Sequence, residues 1–163
     1  MIRPMLVLML CAAPFAAGCS PQAEPKAAKI QALDEFFEKD ELQVVATDGT
    51  RLDFTVYLAT TFEQQRRGLM FVRQLPERTG MLFVYDDEDL HSMWMKNTFI
   101  PLDIVFARDD GTVSSVIKNT EPLSLKSLAA IEPVTFVLEL NAGVTRRYNI
   151  GPGSRLIWPP ETD

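Results

Sequence analysis

From Leu42 onward the apolar residues come in short runs, each closed by turn chemistry, and no run carries helical periodicity long enough for a helical crossover. Parallel strands need such crossovers, so this pattern restricts the chain to a mainly antiparallel sheet. The segments LQVVAT and RLDFTVYLA flank Thr47-Asp48-Gly49-Thr50. Asp-Gly between two such runs predicts a hairpin. Further strands are expected over residues 81–85, 92–96, 102–107, 112–118, 134–140 and 154–158, with Asp109-Asp110-Gly111 and Asn141-Ala142-Gly143 as turns. Thr61 and Gln64 fit a capping box, so a short helix should run through Arg67 and stop at Gly68. A helical turn is expected within 142–148. The predicted fold class is mostly β, a β-rich α+β domain. It is a compact antiparallel barrel-like or sandwich domain of about eight short strands with one or two short helices, spanning residues 40–160.

The N-terminus follows different rules. Arg3 precedes an uncharged apolar stretch, and Ala16-Ala17-Gly18 supplies the small residues of a cleavage site, so residues 1–18 read as a signal peptide. The apolar stretch falls short of the roughly 20 residues that span a bilayer. Ala16-Ala17-Gly18-Cys19 resembles the bacterial lipobox, with Ala16 where Leu is usual. The resemblance implies lipid attachment at Cys19, and Ser20 in place of Asp implies an outer-membrane address. Ordinary soluble secretion to the periplasm is the alternative. Residues 19–29 then form a lipid-anchored tether rich in Pro, Ala and charge. Ile30, Leu33, Phe36 and Phe37 recur at helical spacing and predict an amphipathic helix over residues 30–39.

Composition narrows the function. The chain has 163 residues, enough for one ordinary domain, and a net charge of −6. An acidic chain is poorly suited to binding nucleic acid, which needs a basic surface. Two Cys and one His leave little for a zinc site or a disulfide framework. Cys11 falls in the signal and Cys19 is taken by lipid, so packing alone must hold the mature fold, and no cofactor is expected.

The most specific stretch is Met93-Trp94-Met95-Lys96-Asn97-Thr98 followed by Ile100-Pro101-Leu102-Asp103-Ile104. Together with Glu63, Gly68-Leu69-Met70, Gly80-Met81-Leu82-Phe83, Gly111, Val137-Leu138-Glu139 and Gly143, it resembles the family labelled domain of unknown function 192. The resemblance covers nearly the whole globular part. It implies a compact, often exported β-rich domain with no established reaction, and binding of a small ligand such as a carbohydrate is the role it suggests.

Several residues are candidates for a site. Trp94 offers a flat face to a ring, while Lys96 and Asn97 can donate hydrogen bonds. If 92–96 is a strand, Ser92, Trp94 and Lys96 share one face and Met93 and Met95 the other. Arg66, Asp103 and Glu139 are charged residues embedded in apolar or patterned segments, and converging charges mark a cleft. Each also has a plain structural role open to it, as a paired charge or a turn former. Glu139, inside the apolar segment FVLEL, is expected to be buried and bonded to Lys96, Arg66 or amides near Asn97-Thr98. His91, Met93 and Met95 form a second set, because thioethers and imidazole suit Cu(I), although Met more often fills core gaps. Ser92 and Lys96 would be about 13 Å apart on a strand, too far for a nucleophile and its base. Asp86-Asp87-Glu88-Asp89 reads as a solvated loop without the ligand ladder of a calcium site.

The expected function is therefore a non-enzymatic binding module of the cell envelope, lipid-anchored, with an unidentified small molecule or envelope protein as partner and no nucleic acid. A periplasmic copper handler and a structural or assembly factor are the alternatives.

Overall fold

A computed structural model of the chain describes residues 33–159. The predicted signal and the whole tether, Cys19 included, lie outside the described residues, as do residues 30–32 of the predicted helix. Nine strands and two short helices follow in the order β1 (Lys39–Val45), β2 (Arg51–Ala59), α1 (Phe62–Arg67), β3 (Thr79–Asp89), β4 (Ser92–Met93), β5 (Leu102–Ala107), β6 (Val113–Ile117), β7 (Leu128–Ala129), β8 (Val134–Asn141), α2 (Val144–Arg147) and β9 (Arg155–Ile157). The fold is mostly β, as expected. Seven strands form one sheet in the order β6-β5-β8-β3-β2-β1-β9, and β4 pairs with β7 in a small second sheet.

The β1–β2 hairpin forms as predicted, with Asp48 accepting from the Thr50 amide at 2.9 Å and Gly49 at φ 83°. One pairing departs from the antiparallel rule. β2 and β3 run parallel, Thr55 opposite Thr79 through Ala59 opposite Phe83. The crossover, residues 60–78, contains only the six-residue α1, so irregular chain does the work of a long crossover helix.

The large sheet curls into a half-barrel. Its edges approach each other where Thr112 bridges Arg155 and the Leu156 amide donates to the Gly111 carbonyl at 2.8 Å. Gly111 sits at φ 78°, and a Cβ there would lie 2.0 Å from the Leu156 carbonyl oxygen, so only glycine fits. The central strands are buried on both faces. Leu82, Val105, Leu138 and Leu140 point into the half-barrel with Leu42, Val44, Phe54 and Val56. Met81, Phe83, Ile104 and Val137 point outward into a second core, which α1, β4 and the N-terminal turn cover. There Leu33 and Phe37 are buried, and Asp34 accepts from the Tyr57 hydroxyl at 2.8 Å and pairs with Lys39 at 2.6 Å. Helical geometry ends at Asp34, and β1 already begins at Lys39, inside the segment expected to be helical. Period-2 alternation puts Glu139 on this outer face, opposite Met81 on β3 and Ile104 on β5.

Candidate functional site

Three segments meet above Glu139. The first is α1 and its exit. Thr61 accepts from the Gln64 amide at 3.3 Å while Gln64 accepts from the Thr61 amide at 3.2 Å, so the predicted capping box forms. Arg66 and Arg67 follow in the last turn. Gly68 ends the helix at φ 44°, and a Cβ there would come within 3.3 Å of the Phe83 ring. Its lack of a side chain lets the chain pass close over the sheet.

The second segment is the end of β3. Asp86 to Asp89 belong to this strand and are exposed, where a solvated loop was expected. Tyr85, just before them, stacks on His91 with ring centroids 3.5 Å apart and donates to the Met93 Sδ at 3.8 Å.

The third is 92–96. The strand stops at Met93, shorter than expected, but the alternation holds: Met93 and Met95 are buried and Ser92, Trp94 and Lys96 exposed.

These segments enclose a cleft of about 430 Å³. Phe62, Trp94, Tyr85 and His91 give it aromatic walls, Arg66 and Arg67 stand at its side, and Glu139 lines it from the sheet. The volume falls within the usual range of small-molecule sites. Glu139 is only 4% exposed, and its carboxyl has no hydrogen bond or ion pair among the described residues. Burial pushes its pKa up to about 8, because removing a carboxylate from water disfavours the charged form. Burial first, and the nearby Glu139 charge second, push the Tyr85 hydroxyl up to about 12.

Burial of Glu139 is as expected, but the expected partners are absent. Lys96 lies 4.9 Å over the Trp94 ring, held by the aromatic face instead of a carboxylate. Asn97, at φ 56°, is a turn residue whose carbonyl accepts from the Phe71 amide at 2.8 Å. Lys96 and Asn97 line a neighbouring groove that shares Arg66, Arg67, Met70 and Trp94 with the cleft.

Asp103 belongs elsewhere. It is fully buried and accepts from the amides of Asn119 at 2.8 Å, Gly143 at 2.9 Å and Thr145 at 3.1 Å, and from the Thr145 hydroxyl at 2.6 Å. These bonds tie α2 and the β6 exit to β5, a structural role. The copper set also divides. His91 and Met93 line the cleft, whereas the Met95 sulfur accepts from Thr120 at 3.2 Å within the core. Phe62, Tyr85 and Arg67 are cleft residues that sequence reasoning did not single out. Tyr85 continues the Met81 and Phe83 alternation, on the sheet face that carries Glu139, and lines the cleft with it.

A curled β half-barrel carrying an open, aromatic-walled cleft with a lone acid in it defines a small β-rich domain with a ligand-sized site. The chain belongs to the DUF192 family, described as "Uncharacterized ACR", whose family model matches residues 43–158. Two solved structures are similar to it. One, from Sinorhizobium meliloti 1021 and described as a candidate transcription regulator, is 40% identical with a TM-score of 0.73, covering 74% of this chain and 94% of that one. The other, of unknown function from Novosphingobium aromaticivorans DSM 12444, is 32% identical with a TM-score of 0.72, covering 91% and 99%. No curated protein matches the chain.

Proposed function

We propose that this chain is an exported, non-enzymatic binding module of the cell envelope whose cleft takes a small ring-bearing ligand, with carbohydrates among the classes its aromatic walls suit. The observation that carries the reading is the buried Glu139 carboxyl, unpartnered and facing the cleft. Ser115 Oγ is the fully enclosed side-chain atom left without a partner among the described residues, whereas the Glu139 carboxyl opens onto the cleft, where a ligand oxygen or nitrogen can bond it. The rim supports the same reading: Phe62 is 71% exposed, Leu90 60% and Trp94 47%. Large apolar groups gathered at a cleft mouth are stabilised when a ligand covers them. A role on nucleic acid, of the kind suggested by the Sinorhizobium relative's description, would need a basic surface, and this chain carries −6.

The signal-like N-terminus and Cys19 support placement in the periplasm as an outer-membrane lipoprotein. Among the described residues no helix is long and apolar enough to cross a membrane.

Titration of the intrinsic fluorescence with a broad panel of sugars and ring-bearing metabolites tests the reading. Trp94 should report binding, and Trp94→Phe should lose the signal while Trp158, near β9, stays unaffected. Silence across the panel would overturn it.

A further inference from the structure

The charges around the cleft bear on the chemistry of its ligand, given the small-ligand reading above. Arg66, Arg67 and Lys96 surround the mouth that the cleft shares with the neighbouring groove. None of the three forms an ion pair among the described residues, where the ion pairs are Lys39–Asp34, Arg108–Glu132 and Arg147–Glu77. Each is held instead by an aromatic face: Arg66 over Phe62 at 5.7 Å, Arg67 over Phe71 at 5.3 Å and Lys96 over Trp94 at 4.9 Å. A ring face orients a cation without neutralising it. Arg67 also donates to the Met70 carbonyl, which fixes it structurally. One exposed carboxylate, Glu63, lines the groove. A cluster of uncompensated cations is a local reversal in a chain with net charge −6.

A neutral ligand could take hydrogen bonds from these cations but would leave their charge uncompensated, and an organic amine would have to pass them. We propose that the cleft binds a ring-bearing organic acid. Its anionic group meets Arg66 and Lys96 at the mouth, its ring lies against Trp94 and Phe62, and a hydroxyl or carbonyl oxygen accepts a hydrogen bond from the Glu139 carboxyl.

Glu139 then sets a pH limit. The groups facing it are Tyr85 from β3, Arg66 and Arg67 from α1, and His91 from the loop before β4, while β5 presents only the apolar Ile104. With Glu139 protonated the residues lining the cleft include no carboxylate, while Glu63 lines the neighbouring groove and Asp86 to Asp89 follow Tyr85 on β3. As pH rises through about 8, Glu139 ionises, loses its donor hydrogen and repels the ligand anion.

The test uses matched probes on the full mature chain: glucuronate against glucose, benzoate against benzamide, and benzylamine as the cationic arm. The acid of at least one pair should bind about tenfold tighter than its neutral partner, the effect of one charge-assisted contact. Arg66→Gln and Lys96→Gln should each weaken the acid several-fold and narrow its advantage over the neutral probe. Both side chains are exposed and make no hydrogen bond, so unchanged thermal melting verifies folding. Acid affinity should also fall above pH 8. Equal binding of a neutral probe, or tighter binding of benzylamine, overturns the acid inference and leaves the small-ligand reading standing. If no probe binds, both fall.

Discussion

Tyr85 and His91 lie face to face, their ring centroids 3.5 Å apart and their planes 13° from parallel. The stack turns the end of β3 back toward β4 and builds one wall of the cleft. It also places the Tyr85 hydroxyl against the Met93 sulfur, so the cleft wall continues into the outer core. Behind it stands Glu139.

The Glu139 carboxyl makes stability fall with rising pH. Below its usual value of 4.5 the acid is protonated in both folded and unfolded chains, and no penalty applies. Between 4.5 and about 8 the unfolded chain releases the proton and the folded chain keeps it, so stability drops by about 1.4 kcal/mol per pH unit. Above 8 the penalty is constant. Glu139→Gln keeps the shape and removes the titration. Urea unfolding should give it little advantage over the wild type at pH 4 and a growing one up to pH 8. Parallel profiles for the two proteins would contradict a buried, unpartnered carboxyl.

Asp103 should prove a structural residue. Asp103→Ala leaves three amides and the Thr145 hydroxyl without their acceptor in a buried place, so it should cost on the order of 3 kcal/mol or more. Its site lies away from the cleft. Variants that still fold should retain full ligand affinity, and a selective loss of affinity would move Asp103 back into the site.

Gly111→Ala should fail through the backbone. The added Cβ meets the Leu156 carbonyl in a left-handed conformation, so the contact between the sheet edges must open. A loss above about 2 kcal/mol is expected in denaturant unfolding. Gly49→Ala, where a Cβ meets nothing within 4 Å, should cost less and serves as the control.

Cys19→Ala tests the anchor. The wild type should partition into detergent with the outer membrane, and the variant should appear as uncleaved precursor or as soluble protein. Freely soluble mature wild type in the periplasm would refute lipidation.

Local chemistry made part of this fold legible in advance. The Asp48-Gly49 hairpin, the Thr61–Gln64 capping box and the alternation around Met93 and Met95 each depend on residues close in sequence. So did the burial of Glu139, a charged residue in an apolar strand. What sequence could not supply was pairing across distance. The parallel β2–β3 pair escaped because α1 is far shorter than the usual crossover helix. The Lys96–Glu139 pair was expected from opposite charge, yet Trp94, two residues away, captures the Lys96 ammonium first. Asp103 looked like a site residue because its four donors come from Asn119, Gly143 and Thr145, which only the folded sheet brings together. Tyr85 becomes a cleft residue only once β3 and β8 are in register.

Native mass spectrometry of the protein purified from its own cell envelope tests the binding claim most directly. Ser92 is exposed at the cleft mouth, so Ser92→Trp fills the entrance without entering the core. The wild type should carry a small-molecule adduct, released on denaturation, that the Ser92→Trp protein lacks. A wild type without any adduct released on denaturation, or the same adduct on both proteins, would contradict a ligand in this cleft.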